Sequence, residues 1–102
     1  MSLDFFLDKT WSESYTCFDF ACDVFNHVNN TNITKQSLVE RNELKEIHNI
    51  EDKCFALLSN NIGVDHVGVI INGKIIHLAP TGAQMVSLDI LRLHFRSVRF
   101  FK

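Results

Sequence analysis

The 102-residue sequence has one proline and four glycines, which excludes a collagen-like repeat and leaves no Pro/Gly-rich linker to divide the chain. Its three cysteines, Cys17, Cys22 and Cys54, are an odd number without the spacing of a disulfide scaffold, so a reduced compartment is expected. Basic side chains are scarce: ten Lys and Arg stand against twelve Asp and Glu, for a net charge of −2. The one loose basic cluster, Arg92, Arg96, Arg99 and Lys102, reads as a solvated face, and no nucleic-acid partner is expected. No apolar run approaches the ~20 residues of a membrane helix, so no membrane insertion is expected either. The acidic start, Met1 to Asp8, lacks the basic and apolar regions of a signal peptide, which points to synthesis in the cytoplasm without one.

What is present is a globular composition, 46% hydrophobic and 11% aromatic. The length suits a single domain spanning residues 1–102. The small net charge conceals an uneven distribution. Residues 1–52 carry four basic and ten acidic side chains, and residues 53–102 carry six and two.

From about Ser14 to Val28 the apolar residues Phe18, Ala21, Cys22, Phe25 and Val28 recur at steps of three and four, the period of one helical face. Ser14 or Thr16 is the expected N-cap, which puts Cys17 in the first turn. Asn29 to Asn32 ends this helix, and Thr34 to His48 is predicted to form a second one. Short β-branched runs then follow at Cys54–Ser59, Val64–Ile71, Lys74–Ala79, Met85–Leu88 and Val98–Phe101, with a helical turn or two about Asp89–Phe95. Helices first and a mostly antiparallel sheet afterwards is an α+β arrangement.

The sharpest local signal is Asn72-Gly73, the preferred two-residue loop of a type I′ hairpin. It pairs Ile71 with Lys74, Ile70 with Ile75, Gly68 with His77 and His66 with Ala79. Alternation then sends His66, Gly68, Ile70, Ile75, His77 and Ala79 to one face, and Val67, Val69, Ile71, Lys74, Ile76 and Leu78 to the other. The two histidines are diagonal neighbours, near enough to interact. Gly68 is expected to leave open space across from His77.

Two imidazoles on one face of an apolar hairpin need partners if buried. Each alone reads as a satisfied core histidine. Together with a cysteine at a helix start they read as a site, because the positive end of a helix lowers a thiol pKa and favours the nucleophilic thiolate. Cys22 and Cys54 fall in apolar patterns and read as small buried hydrophobes. His27 and His48, near predicted helix C-termini, and His94, in the basic segment, carry no assigned chemistry.

Tyr15-Thr16-Cys17-Phe18-Asp19-Phe20-Ala21-Cys22, followed by His66-Val67-Gly68-Val69-Ile70-Ile71-Asn72-Gly73-Lys74-Ile75-Ile76-His77, resembles the NlpC-type cysteine peptidases, papain-like bacterial cell-wall endopeptidases. The ending, from Gly82-Ala83-Gln84-Met85 to Phe101-Lys102, looks most like compact members encoded by tailed phages and prophages. The resemblance runs from about residue 14 to the end, with residues 29–50 poorly matched. It implies a papain-like fold with N-terminal helices on the sheet. It also implies a Cys-His-His triad in which Cys17 is the nucleophile, His66 the general base and His77 the residue that orients His66. The implied substrate is the stem peptide of peptidoglycan, with no cofactor and no metal. The implied partners are other phage tail proteins, and the location a virion. The family's usual Asp before the nucleophile is Thr16 here, and the small residue and Gly after it are Phe18-Asp19. Tyr15 is the nearest match to an upstream substrate-binding tyrosine. Two other readings remain beside the peptidase: a catalytically inactive structural component of a phage tail tip, and a zinc-binding domain with Cys17, His66 and His77 as ligands.

Overall fold

Helical segments come first and a sheet follows in the computed structural model, which describes residues 3–60 and 65–102. The order is α1 (Asp4–Leu7), α2 (Cys17–Asn29), α3 (Lys35–Glu40), β1 (Glu46–Ile47), β2 (Phe55–Ser59), β3 (Asp65–Ile71), β4 (Lys74–Ala79), β5 (Gly82–Ser87), α4 (Leu88–Leu91), a 3-10 turn (Arg92–His94) and β6 (Ser97–Phe101). The protein is thus α+β. Its six described strands form one sheet in the order β1-β6-β2-β3-β4-β5, and every neighbouring pair is antiparallel. Residues Met1 and Ser2 of the expected leader-free start, and Val64 of the expected third strand, lie outside the described residues.

Helix α2 forms where the periodicity predicts. Thr16 is the N-cap, with extended backbone, and Asp19 at the third helical position accepts from the Thr16 N–H at 2.9 Å and from its hydroxyl at 3.1 Å. Both bonds run from Thr16 to the Asp19 carboxylate, and they fix the first turn with Cys17 at the first helical position. At the other end Asn30 takes the left-handed conformation, φ 55°, that commonly stops a helix.

The predicted second helix from Thr34 to His48 is cut short. Thr34 caps it by accepting from the Ser37 N–H, but it ends at Glu40, because Arg41 (φ 56°) and Glu43 (φ 61°) turn left-handed. Leu38 is buried, and the chain beyond needs to reach the sheet edge. There Glu46 and Ile47 pair with Phe101 and Phe100 as β1, and Arg99 grips the Glu46 carboxylate with two nitrogens, at 2.8 and 3.1 Å. His48 therefore follows a strand and no helix. Likewise β5 covers Gly82–Ser87 where Met85–Leu88 was expected, and Leu88 opens α4.

The hairpin matches its predicted register from the turn to Gly68↔His77. Asn72 (φ 51°) and Gly73 (φ 81°) both have the positive φ that a type I′ turn demands. The Asn72 N–H is tied to Asp52 Oδ1 at 2.8 Å. Pairing of His66 with Ala79 is absent, since the two strands part beyond Gly68 and His77.

Alternation along these strands separates two apolar layers. Phe20, Ala21, Val24, Phe25 and Val28 of α2 pack on Phe55, Leu57, Val67, Val69, Ile76 and Leu78. Phe25 and Phe55 stack at 4.1 Å with an interplanar angle of 8°. The opposite face carries a smaller layer, Cys54, Ala56, Leu58, Ile70 and Ile75, roofed by Leu88 with Leu91 and Phe95. Among the described residues no helix is long and apolar enough to cross a membrane.

Candidate active site

The hairpin brings the two predicted histidines together on the face away from α2. His66 Nε2 and His77 Nδ1 lie 2.7 Å apart, and the rings meet edge to face with centroids 4.9 Å apart. His66 also stacks on Phe95, at 5.9 Å and 5°. His77 is 3% exposed, and its Nε2 is buried without a hydrogen-bond partner. Burial pushes the His66 pKa down to about 4, and the neighbouring His77 adds to the effect. Burial lowers the pKa of His77 as well. Both imidazoles are neutral near neutral pH, so one carries the proton of the shared hydrogen bond and the other accepts it.

Gly68 pairs with His77 on the same face, but it does not leave the open space expected of it. A Cβ there would meet the Ile75 side chain at 2.6 Å and the Ile76 carbonyl at 2.7 Å. The absent side chain admits Ile75.

Cys17 approaches from the other side of the sheet. It packs with the α2 layer, and its sulfur faces the N–H of Val67 together with its own N–H and that of Phe18. The position of Val67 explains how. The Ile70 N–H bonds toward the β2 side, to the Cys54 carbonyl at 2.9 Å, so alternation turns the Val67 N–H toward β4. The ladder with β4 ends at Gly68↔His77, close to where the Cys17 sulfur feels the Val67 N–H. Cys17 thus packs on the α2 face of the sheet, and His66 and His77 lie on the opposite face beside Leu91 and Phe95. The imidazoles bond to each other, while no hydrogen bond joins the thiol to either of them.

The expected lowering of the thiol pKa is not found. Burial raises the Cys17 pKa and outweighs the three N–H groups that would stabilise a thiolate, and Asp19 adds a repulsion of its own. The helix start contributes, but desolvation of an ion costs more than these partial charges return.

Cys22 and Cys54 are buried and free, as their apolar setting predicts. Burial raises both thiols, Cys22 to about 11. Tyr15 turns along the helix, its hydroxyl donating to Asp23 at 2.6 Å. His27 sits in the last turn of α2, edge-on to Phe6 at 5.3 Å. The zinc reading does not hold: among the described residues no group of three His, Cys, Asp or Glu is placed to hold a metal.

One set of residues at the site carried no chemistry in the sequence. A cavity of about 400 Å³ opens beside the histidine pair. Its walls come from the ends of β3 and β4, with Ala79 and Pro80, and from Leu91, His94 and Phe95 of the segment that follows β5. His94 lies some thirty residues from His66 in sequence, and only the return of the chain over the sheet places it there. Its position in a basic segment gave no signal of this. The fold is α+β, with a buried histidine pair on one face of the sheet and a cysteine at the start of α2 on the other. The chain matches no family model, no curated protein and no solved structure.

Proposed function

We propose that this chain is a papain-like thiol peptidase of the NlpC type that cuts stem peptides of bacterial peptidoglycan. The observation that carries the reading is the 2.7 Å contact between His66 Nε2 and His77 Nδ1, in a chain that also presents Cys17 at the first position of α2. In the catalytic tautomer His66 donates Nε2–H to His77 Nδ1 and keeps a lone pair on Nδ1. Attack requires the thiol, packed on the α2 face, to come within reach of that nitrogen when substrate binds. Cys17 Sγ then bonds to the peptide carbonyl carbon as its proton passes to His66. The protonated His66 gives the proton to the departing amine, and the C–N bond breaks. Water, deprotonated by His66, cleaves the thioester and restores the thiol. The N–H groups of Cys17, Phe18 and Val67 are available to the oxyanion. The chain's delivery by a phage tail, after synthesis in the bacterial cytoplasm, belongs to the same proposal.

The test is release of soluble stem peptides from purified peptidoglycan. The parent chain should release them, and Cys17→Ala and His66→Gln should fall to background. No release by the parent, or undiminished release by Cys17→Ala, would overturn the reading. A second reading, a catalytically inactive structural component of a tail tip, is favoured by one observation: the thiol is raised by burial and held by backbone N–H groups. It expects Cys17 to react with iodoacetamide no faster than a free cysteine at neutral pH, with no peptide released.

A further inference from the structure

The basic cluster at the end of the chain divides in the structure. Arg99 is held by Glu46, and Lys102 lies 3.7 Å from Glu51. Arg92 and Arg96 are exposed, and among the described residues neither guanidinium has an ion pair or a hydrogen bond. Both stand on residues 88–96, which cover the sheet face opposite α2. Leu88, Leu91 and Phe95, at steps of three and four, turn inward onto Leu58, Ile70 and Ile75. The same winding turns Ile90 and Leu93 outward as neighbours on the surface. Ile90 is 64% exposed and Leu93 81%. Single exposed aliphatic side chains are ordinary, but two side by side with free arginines next to them form an apolar knob in a cationic setting. The chain's acid lies elsewhere. Residues 1–52 carry ten of the twelve acidic side chains, and the helices α1, α2 and α3 that they form pack on the other face of the sheet. Of the remaining two, Asp65 accepts from the Ser59 hydroxyl at 2.7 Å, and Asp89, exposed in the first turn of α4, is outnumbered by Arg92 and Arg96.

We propose that residues 88–96 dock this protein on the surface of an anionic lipid bilayer, with Ile90 and Leu93 entering the interface, Arg92 and Arg96 meeting lipid phosphates, and the acidic helices turned away. The partner has to match both halves of the patch, offering negative charge to the arginines and an apolar medium to the knob. A bilayer interface supplies both together, and being fluid it closes around a projecting side chain without a preformed pocket. The segment lies in the interface and does not span it, in keeping with the absence, among the described residues, of a helix long and apolar enough to cross. The contact involves neither Cys17 nor the histidine pair and stands apart from the peptidase reading.

Co-sedimentation of the full chain with vesicles is the test, using phosphatidylcholine alone or equal parts of phosphatidylcholine and phosphatidylglycerol. The parent should bind the anionic vesicles and not the neutral ones, and ~1 M salt, where the Debye length is ~3 Å, should release most of it. Arg92→Gln with Arg96→Gln should bind about thirtyfold more weakly, at about fivefold for each lost cation. Ile90→Ser with Leu93→Ser, at unchanged charge, should bind more weakly by about tenfold or more. All four positions are exposed, and the urea midpoints of both variants should equal that of the parent. Leu93→Trp in a Trp11→Phe background leaves one tryptophan, whose emission should shift to the blue on binding and be quenched by brominated lipid. Cys17→Ala should bind as the parent does, which keeps this test separate from that of the peptidase. The proposal is overturned if the parent does not bind anionic vesicles, or if brominated lipid leaves the tryptophan of the bound protein unquenched. It is also overturned if the double serine variant binds as well as the parent, since a charged patch alone would then suffice. A parent that ignores vesicles but sediments as a dimer, dissociated by the two serine substitutions, would make this face an interface between copies and would overturn the bilayer in the same way.

Discussion

The two faces of the sheet are built to different rules, although the same six strands make both. Under α2 the layer is wholly apolar, with Phe20, Val24 and Phe25 closed over Phe55, Val69 and Ile76. The other face begins in the same way with Ile70 and Ile75 but ends at a histidine pair with an unpartnered nitrogen and an adjoining cavity. One residue of alternation separates the valines of the first face from the histidines of the second. Stability is concentrated where the helix packs. The unpartnered buried nitrogen, His77 Nε2, lies where only a short helix and a 3-10 turn provide the cover.

Breaking the apolar face should have the largest effect. Phe55→Ala removes a fully buried ring stacked on Phe25 and should cost about 3–5 kcal/mol, read as a fall in the urea midpoint. Leu91→Ala on the other face, half-buried, should cost clearly less, and equal losses would erase the distinction. The second test is pH. His66 has a folded pKa of about 4 against an ordinary 6.5. As the pH falls, the unfolded chain takes up this proton before the folded one does. Stability should therefore be complete above about pH 6.5 and decline between 6.5 and 4, by a loss on the order of 3 kcal/mol for this group, with His77 acting in the same direction. In a His66→Gln protein the urea midpoint should depend much less on pH over that window. An undiminished dependence would place its origin elsewhere.

Gly68→Ala sharpens the comparison from inside the hairpin. Its methyl group would meet the Ile76 carbonyl and the Ile75 side chain, and overpacking of this kind costs about 1–3 kcal/mol. The imidazole resonances should shift as Ile75 is displaced. A neutral result in both would mean that the close approach of Ile75 to Gly68 does not constrain the hairpin. The smallest effect is expected at the helix start. Asp19→Asn keeps an acceptor for the Thr16 N–H and removes a charge that opposes the thiolate. Iodoacetamide should react with Cys17 faster by no more than about threefold.

Local chemistry explains which parts of this were legible beforehand. The step of apolar residues along α2 and the Asn72-Gly73 turn are short-range signals, and both gave their elements, the latter with its register. Both histidines were placed on one face by that register alone. The segment from Arg41 to His48 was misread, because its helical composition was outweighed by pairing of Glu46 and Ile47 with a strand more than fifty residues away. The site was legible only in part for the same reason. His94 and Phe95 reach the pair by a return of the chain that no spacing encodes, and the pKa of Cys17 depends on how deeply the packed helix buries it.

Alternation in the strands and periodicity in the helix depend only on neighbouring residues, so the sequence by itself determined α2, the hairpin and the shared face of His66 and His77. Three things were decided by the tertiary structure: the parting of β3 from β4, the burial of the Cys17 thiol in the layer under α2, and the cavity beside His77. Each depends on how distant segments settle against one another, and burial there, more than the identity of any one residue, sets the charge state of the thiol and of both imidazoles.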